Sequence, residues 1–412
     1  MSNRRITGPR SSPLPRSLAP LDDETLPGYI LRLSHRLDLA PAQVIDVTGL
    51  RSNTTIGTTT AILGLPERTL ATFARITRLE HTEASELLMT SLADRYPPLD
   101  PTFLGRFGEL RAIVSGEPWV LVSSTRYCNQ CLAGDGSTVQ EAHGGAWKRA
   151  WRLPITFACL THRRLLAHRC EQCGHRIHNR AGSTGPHGLI LHSTIAGLHP
   201  AQCRSPLRLV KPGDGKRAML SACGFRLDRT HDAPAVDTLT MSRLLAVQRD
   251  LTLLLENRGS TALSCGLESP APNYFVDLRV VTELLSSSWP AARAFAPSAA
   301  IAIIVDKTVE ARQPEISTQR NGRIKTHRAA PHRRPPLPAD ECGALLSTAT
   351  QILGTLKSPA DAAELLAELL EHDRTRQPTS SIGLTDRVLQ RAQNDCSPGL
   401  RTAIDIITQK MP

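Results

Sequence analysis

RYCNQCLAGDG at residues 126–136, followed by FACLTHRRLLAHRCEQCGHRI at residues 157–177, decides how this chain is to be read. Three pairs of metal-competent side chains occur there with two residues between the members: Cys128 and Cys131, Cys159 and His162, Cys170 and Cys173. Two intervening residues let one tight turn aim both side chains at a single tetrahedral ion, and a distant pair supplies the other two ligands. Cys128, Cys131, Cys159 and His162 therefore predict one closed site. The 27 residues between Cys131 and Cys159 must hold a loop or small elements, and Gly134, Gly136, Gly144 and Gly145 suit such an insertion. Cys170 and Cys173 open a second knuckle, where Gly174 can take the left-handed conformation that turns backbone donors toward thiolates. Cys203 and Cys223 complete that site most economically. His199 is the alternative ligand, because it lies four residues before Cys203. His168, His175 and His178 are expected at the surface or behind the ligands.

Seven of the ten cysteines fall between Cys128 and Cys223; Cys265, Cys342 and Cys396 are scattered. A disulfide framework suits small secreted domains. Here the arginine-rich start lacks the apolar segment of a signal peptide, and no apolar run is long enough to span a bilayer, so two structural zinc ions in a cytoplasmic protein with no membrane partner are expected. Closed four-ligand sites leave no position for substrate. No His-Glu-x-x-His pattern and no phosphate-binding glycine loop accompanies them, so a zinc-dependent nuclease or hydrolase is the weakest reading and the chain is expected not to be an enzyme. Asp22, Asp23 and Glu24 do not converge on one ion; they are expected to complement the positive end of the first helix.

On either side of the cysteines the pattern is helical. The chain has 412 residues and only 4% aromatics, which favours a mainly α fold: N-terminal helix-turn-helix-like helices, two zinc-ribbon-like modules and a C-terminal helical region. The expected divisions are a disordered basic arm at 1–20, an N-terminal helical domain at 21–120, a double zinc-binding region at 121–230, a helical domain at 231–318, a basic linker at 319–339 and a C-terminal helical segment at 340–412. Leu26, Ile30, Leu33 and Leu37 form the first apolar stripe, and Pro41 opens a second helix that ends at Gly49. Leu70, Phe73, Ile76 and Leu79 face a second stripe carrying Leu87, Leu88 and Leu92 across a short turn, the connectivity of a helix-turn-helix and equally of any helical hairpin. Further on, Leu239 to Leu255 and Tyr274 to Leu285 read as helices, the latter stopping at Ser286 to Pro290. Ser358, Pro359 and Asp361 cap a helix through Leu370.

The formal charge is +11. Residues 340–412 hold ten acidic and seven basic residues, net −3, so residues 1–339 carry +14. A polyanionic partner, DNA, fits that surplus. In WKRAWR at 147–152, Lys148, Arg149 and Arg152 are candidate phosphate contacts, with Trp147 and Trp151 packed on one face; the alternative makes the tryptophans core and the basic residues solvated.

The order RYCNQC at 126–131, WRLP at 151–154, FACLTH at 157–162, RRLL at 163–166 and CEQCG at 170–174 resembles the TniQ family of transposition accessory proteins, over about residues 20–300. The start, DETLPGYILRLSHRL at 23–37, has Gly28 and Tyr29 where the family has a small residue and Trp, and Leu220 replaces the first cysteine of the closing pair before Cys223. The resemblance implies a non-enzymatic adaptor that binds DNA and works with a transposase and an AAA-type ATPase, in some systems with a target-recognition complex and often as a homodimer. It assigns Cys128, Cys131, Cys159 and His162 to the first zinc module and Cys170 and Cys173 to the start of the second. The alternative function is a domesticated transcription regulator using the helix pair at 66–92.

Overall fold

A computed structural model describes residues 12–50, 58–106, 108–177, 193–208, 220–229, 236–311, 335–376 and 393–410. The N-terminal part is built from short helices, α1 (Leu26–Leu37), α2 (Pro41–Val47), α3 (Thr58–Leu63), α4 (Glu67–Thr77) and α5 (His81–Glu86), followed by 3-10 turns and α6 (Leu110–Gly116). Thr25 caps α1 by accepting from Gly28 N. Pro41 starts α2, and Gly49, at φ 77°, lets the chain leave it. Tyr29, Ile30 and Leu33 of α1 pack with Phe73 and Ile76 of α4 in one core, Tyr29 meeting Phe73 edge to face at 6.0 Å.

Residues 12–20 correct the expectation of a disordered arm, for which residues 1–11 lie outside the described part. Leu14 and Leu18 are buried, Leu14 N donates to Ile76 O, and Tyr29 Oη donates to Leu18 O. The segment is an extended strap whose burial comes from α1 and α4.

The acids at 22–24 are also used differently from the expectation. Glu24 is buried against Arg32, and Asp23 accepts from Arg149 Nε at 3.1 Å and from Ala150 N. They join α1 to the cysteine region; none lies in the first turn of α1. The α4–α5 pair has the short connection expected of it. Yet α5 is six residues long, carries Glu83 and Glu86, and follows Glu80.

The cysteine region holds α7 (Asn129–Ala133), α8 (Thr138–His143) and two small antiparallel hairpins, β1 (Ala158–Cys159) with β2 (Arg164–Leu165) and β3 (Pro206–Arg208) with β4 (Leu220–Ala222). Registers pair Cys159 with Arg164 and Leu207 with Ser221.

The rest is a helical layer: α9 (Thr238–Glu256), a hairpin of β5 (Thr261–Ser264) and β6 (Leu267–Pro270), α10 (Ala271–Ser288), α11 (Ala299–Glu310), α12 (Ala339–Thr355), α13 (Pro359–Arg376) and α14 (Pro398–Lys410). α10 is its axis, buried along almost its whole length and packed by α12, α13 and the β5–β6 hairpin. It extends past the expected stop because Ser286 and Ser288 turn their hydroxyls back onto Thr282 O and Leu284 O and stay in the helix. Each fully buried Leu or Val there contributes roughly 1.5–3 kcal/mol. α12 packs on α9, α10 and α11, so residues 339–376 share one core with the preceding helices.

Side-chain bonds join this layer to the cysteine region. Gln248 of α9 accepts from Phe157 N and Ala158 N at 2.7 and 2.9 Å. The fully buried Arg126 donates to Pro154 O and Thr156 O, and also to Pro336 O and Leu337 O. The part of the expected basic linker at 319–334 lies outside the described residues; 335 and 336 are buried.

Candidate metal centres

Cys128 is the N-cap of α7 and Cys131 lies within that helix, so one turn projects both sulfurs to the same side. Cys159 ends β1 and His162 sits in the turn to β2, where Arg163 takes φ 49° to reverse the chain. Paired bonds between Tyr127 and Ala167, both 2.8 Å, hold the two half-sites edge to edge. His162 Nδ1 lies 3.4 Å from Cys128 Sγ, 3.2 Å from Cys131 Sγ and 3.4 Å from Cys159 Sγ, and the Cys131 and Cys159 sulfurs are 3.6 Å apart. All four donor atoms lie within 4.8 Å of one another. Edges of this length belong to a tetrahedron whose centre is about 2.0–2.3 Å from each donor.

The thiols of the first cluster crowd one another, and the four donors could hold a metal ion. With only protons to share, Cys159 is held well below the usual thiol range by the Cys128 and Cys131 thiols, while Cys131 is driven far above it by Cys128 and then Cys159. One divalent ion would satisfy every sulfur at once. Gly145 closes the knuckle from outside: its N donates to Leu132 O, and a Cβ there would collide with Cys131 O.

The second cluster brings together Cys170, Cys173, Cys203 and Cys223, again within 4.8 Å. Cys170 and Cys223 sulfurs are 3.8 Å apart, as are those of Cys173 and Cys203. Gly174, at φ 68°, donates to Cys170 O, and Cys170 N donates to His175 O. The other half repeats the device, with Gly224 at φ 75° donating to Cys203 O. Burial pushes the Cys170 thiol up to about 11. His199 is not in this group. Its ring packs on His35, with centroids 5.3 Å apart, and its Nδ1 accepts from Ala201 N. His168 is half-buried and His175 exposed, while His178 lies outside the described residues.

Of the candidate phosphate contacts of the WKRAWR segment, Arg152 and Arg149 are engaged inside the fold. Arg152 is 2% exposed and donates to Leu121 O, Val122 O and Ser124 O. Arg149 is paired with Asp23 and donates to Ser91 Oγ. Lys148 is half-buried, with its backbone bridged to Glu24. Two of the three are structural because the segment threads between the strap, α1 and the cysteine region. Trp147 and Trp151 are core, edge to face at 6.3 Å. A Cβ at Gly28 would meet Trp147 Cβ at 2.8 Å, so a small residue at position 28 is what this packing requires.

Residues 15–166 match the model of the TniQ family. That span runs from the strap through the whole first cluster, and over it the chain is similar to the TniQ family; the second cluster and the helical layer lie beyond the match. No curated protein and no solved structure matches the chain at a significant level. Among the described residues no helix is long and apolar enough to cross a membrane.

Proposed function

We propose that this protein is a non-enzymatic, zinc-containing adaptor of DNA transposition, which binds DNA and links a transposase and an AAA-type ATPase to target DNA. The observation that carries the reading is the TniQ match across a closed four-donor cluster. Zinc suits both donor sets: three thiolates with one imidazole, and four thiolates. Tetrahedral zinc would set sulfur–sulfur edges near ~3.8 Å and sulfur–nitrogen edges near ~3.6 Å. Four protein donors per ion leave no open position, which supports a structural ion over a hydrolytic one. The ions would tie distant turns into a rigid docking surface for the partner proteins.

The DNA-facing role moves from the WKRAWR segment to the knuckles. Arg163, Arg169 and Arg176 are exposed, and Arg169 and Arg176 stand opposite each other across a β-bridge. Like charges in that register repel, and a phosphate between them relieves the repulsion. The acidic residues on α5 make the helix pair at 66–92 a poorer phosphate surface. Duplex binding measured against salt tests the reading. Affinity at low ionic strength should fall with added salt, and Arg169→Glu with Arg176→Glu should flatten that slope at unchanged metal content. Absence of duplex affinity at low salt, alone and with the partner ATPase, contradicts the DNA-binding role.

A further inference from the structure

Away from both clusters, three histidines from separate parts of the chain meet. His35 lies in the last turn of α1, His143 ends α8 inside the insertion of the first cysteine module, and His199 precedes Cys203 in the second. The Nδ1 atoms of His35 and His143 are 3.0 Å apart. His199 stacks its edge on His35, and its Cε1 is 3.0 Å from where a Cβ on Gly144 would be. The Nδ1–Nδ1 contact holds one proton, since two imidazolium rings would point two N–H groups at each other. His199 Nδ1 must also be bare to accept from Ala201 N. All three rings are half-buried.

We propose that His35, His143 and His199 form a proton-sensitive latch, closed when the three rings are neutral, that releases the seam between α1 and the two cysteine modules as protons are taken up. The charges around it exclude further cations. Arg204 and Arg226 face His35 from the second module, with Asp38 as the acid on its own side. Arg36 and Arg32 face His143. Arg226 faces His199 too, and the neighbouring Asp228 is engaged by Arg226 through two hydrogen bonds of 2.8 and 2.5 Å. Desolvation is the first cause lowering each ring below the ordinary histidine value of 6.5, with His199 brought down to about 4. Rings that are harder to protonate closed than open favour the closed state above about pH 6.5, and the preference is lost progressively as pH falls toward 4.

Hydrogen exchange on the full-length, metal-loaded chain tests this. After correction for intrinsic rates, opening at residues 36–39, 142–145 and 199–203 should rise about tenfold between pH 7.5 and 5.5, the change that His199 alone supplies if its value moves from about 6.5 to about 4. The variant His199→Gln should lose most of that rise while metal content stays equal to wild type. The same rise in the variant, or exchange at the seam independent of pH, overturns the latch. Should the variant not fold, imidazole titration of the wild-type chain by NMR decides: all three rings titrating below 6.5 supports the latch, and any of the three at or above 6.5 overturns it.

Discussion

Glu24 and Arg32 are both withdrawn from solvent, with Arg32 Nη1 donating to Glu24 Oε2 at 2.7 Å. Burial raises the Glu24 carboxyl to about 7, against the pull of Arg32. A carboxyl raised on folding stabilises most at pH below its unfolded value, and that contribution is lost as pH rises through about 7. Arg32→Met leaves the carboxyl unpaired and raises it further. The variant should lose about 3–5 kcal/mol at pH 8, and the deficit should shrink by about 1 kcal/mol or more at pH 6. Chemical denaturation of both proteins at the two pH values reads this directly; an equal deficit at both would mean that Glu24 is not the group left exposed to the imbalance. The first cluster gives the second residue-scale expectation. Cys159→Ser or His162→Ala should lower bound metal by one equivalent and increase proteolysis between residues 120 and 225. Full metal content with full protease resistance would remove that residue from the ligand set. The pairs separated by two residues were legible because local geometry alone brings their members together. Arg149 and Arg152 were not, since a basic side chain in the sequence looks the same whether it meets phosphate, a carboxylate or a buried carbonyl.

At the level of elements, the positions of β1 and α7 decide whether the ligands converge. β1 has only two residues, and its backbone donors at Phe157 and Ala158 are satisfied by Gln248 Oε1. Gln248→Leu strands both N–H groups at about 1–3 kcal/mol each, so it should destabilise the chain by about 2 kcal/mol or more and loosen metal at the first site. Thermal unfolding with metal-release kinetics checks it. On the other side of the site, Gly145→Ala drives a methyl into Cys131 O and should shift the α7 knuckle, speeding transfer of one metal equivalent to a chelator. Transfer at the wild-type rate would show that the knuckle tolerates the displacement. Helices with strong stripes and caps, α1, α2, α9 and α13, were readable from sequence. α3 and the β5–β6 hairpin were missed, and α11 and α12 fell within expected helical regions without being delimited. α12 shows why: buried on nearly every side, it has little of the one-sided apolar periodicity that marks a surface helix. His35, His143 and His199 carry no spacing signal, because only the tertiary fold brings them within reach.

Across the whole molecule, specific bonds join the helical layer to the region that matches the TniQ model. Arg126, beside Cys128, reaches carbonyls at 154 and 156 and also those at 336 and 337. Cys342 of α12 donates to Pro154 O, and a Cβ on Gly343 would stand 2.8 Å from Phe157 Cδ2. The sequence division at 340 follows composition, whereas the core runs through α9, α10 and α12 across it. Two closed metal centres set in this framework are what would make the chain a structural adaptor. Metal counting together with X-ray absorption at the zinc edge, on protein purified without added metal, decides whether they exist. Two zinc ions per chain are expected, with an average shell of about three and a half sulfurs and half a nitrogen, the mean of a site with three thiolates and one imidazole and a site with four thiolates. Fewer than two ions, or a shell with an oxygen in place of a protein donor, would contradict it.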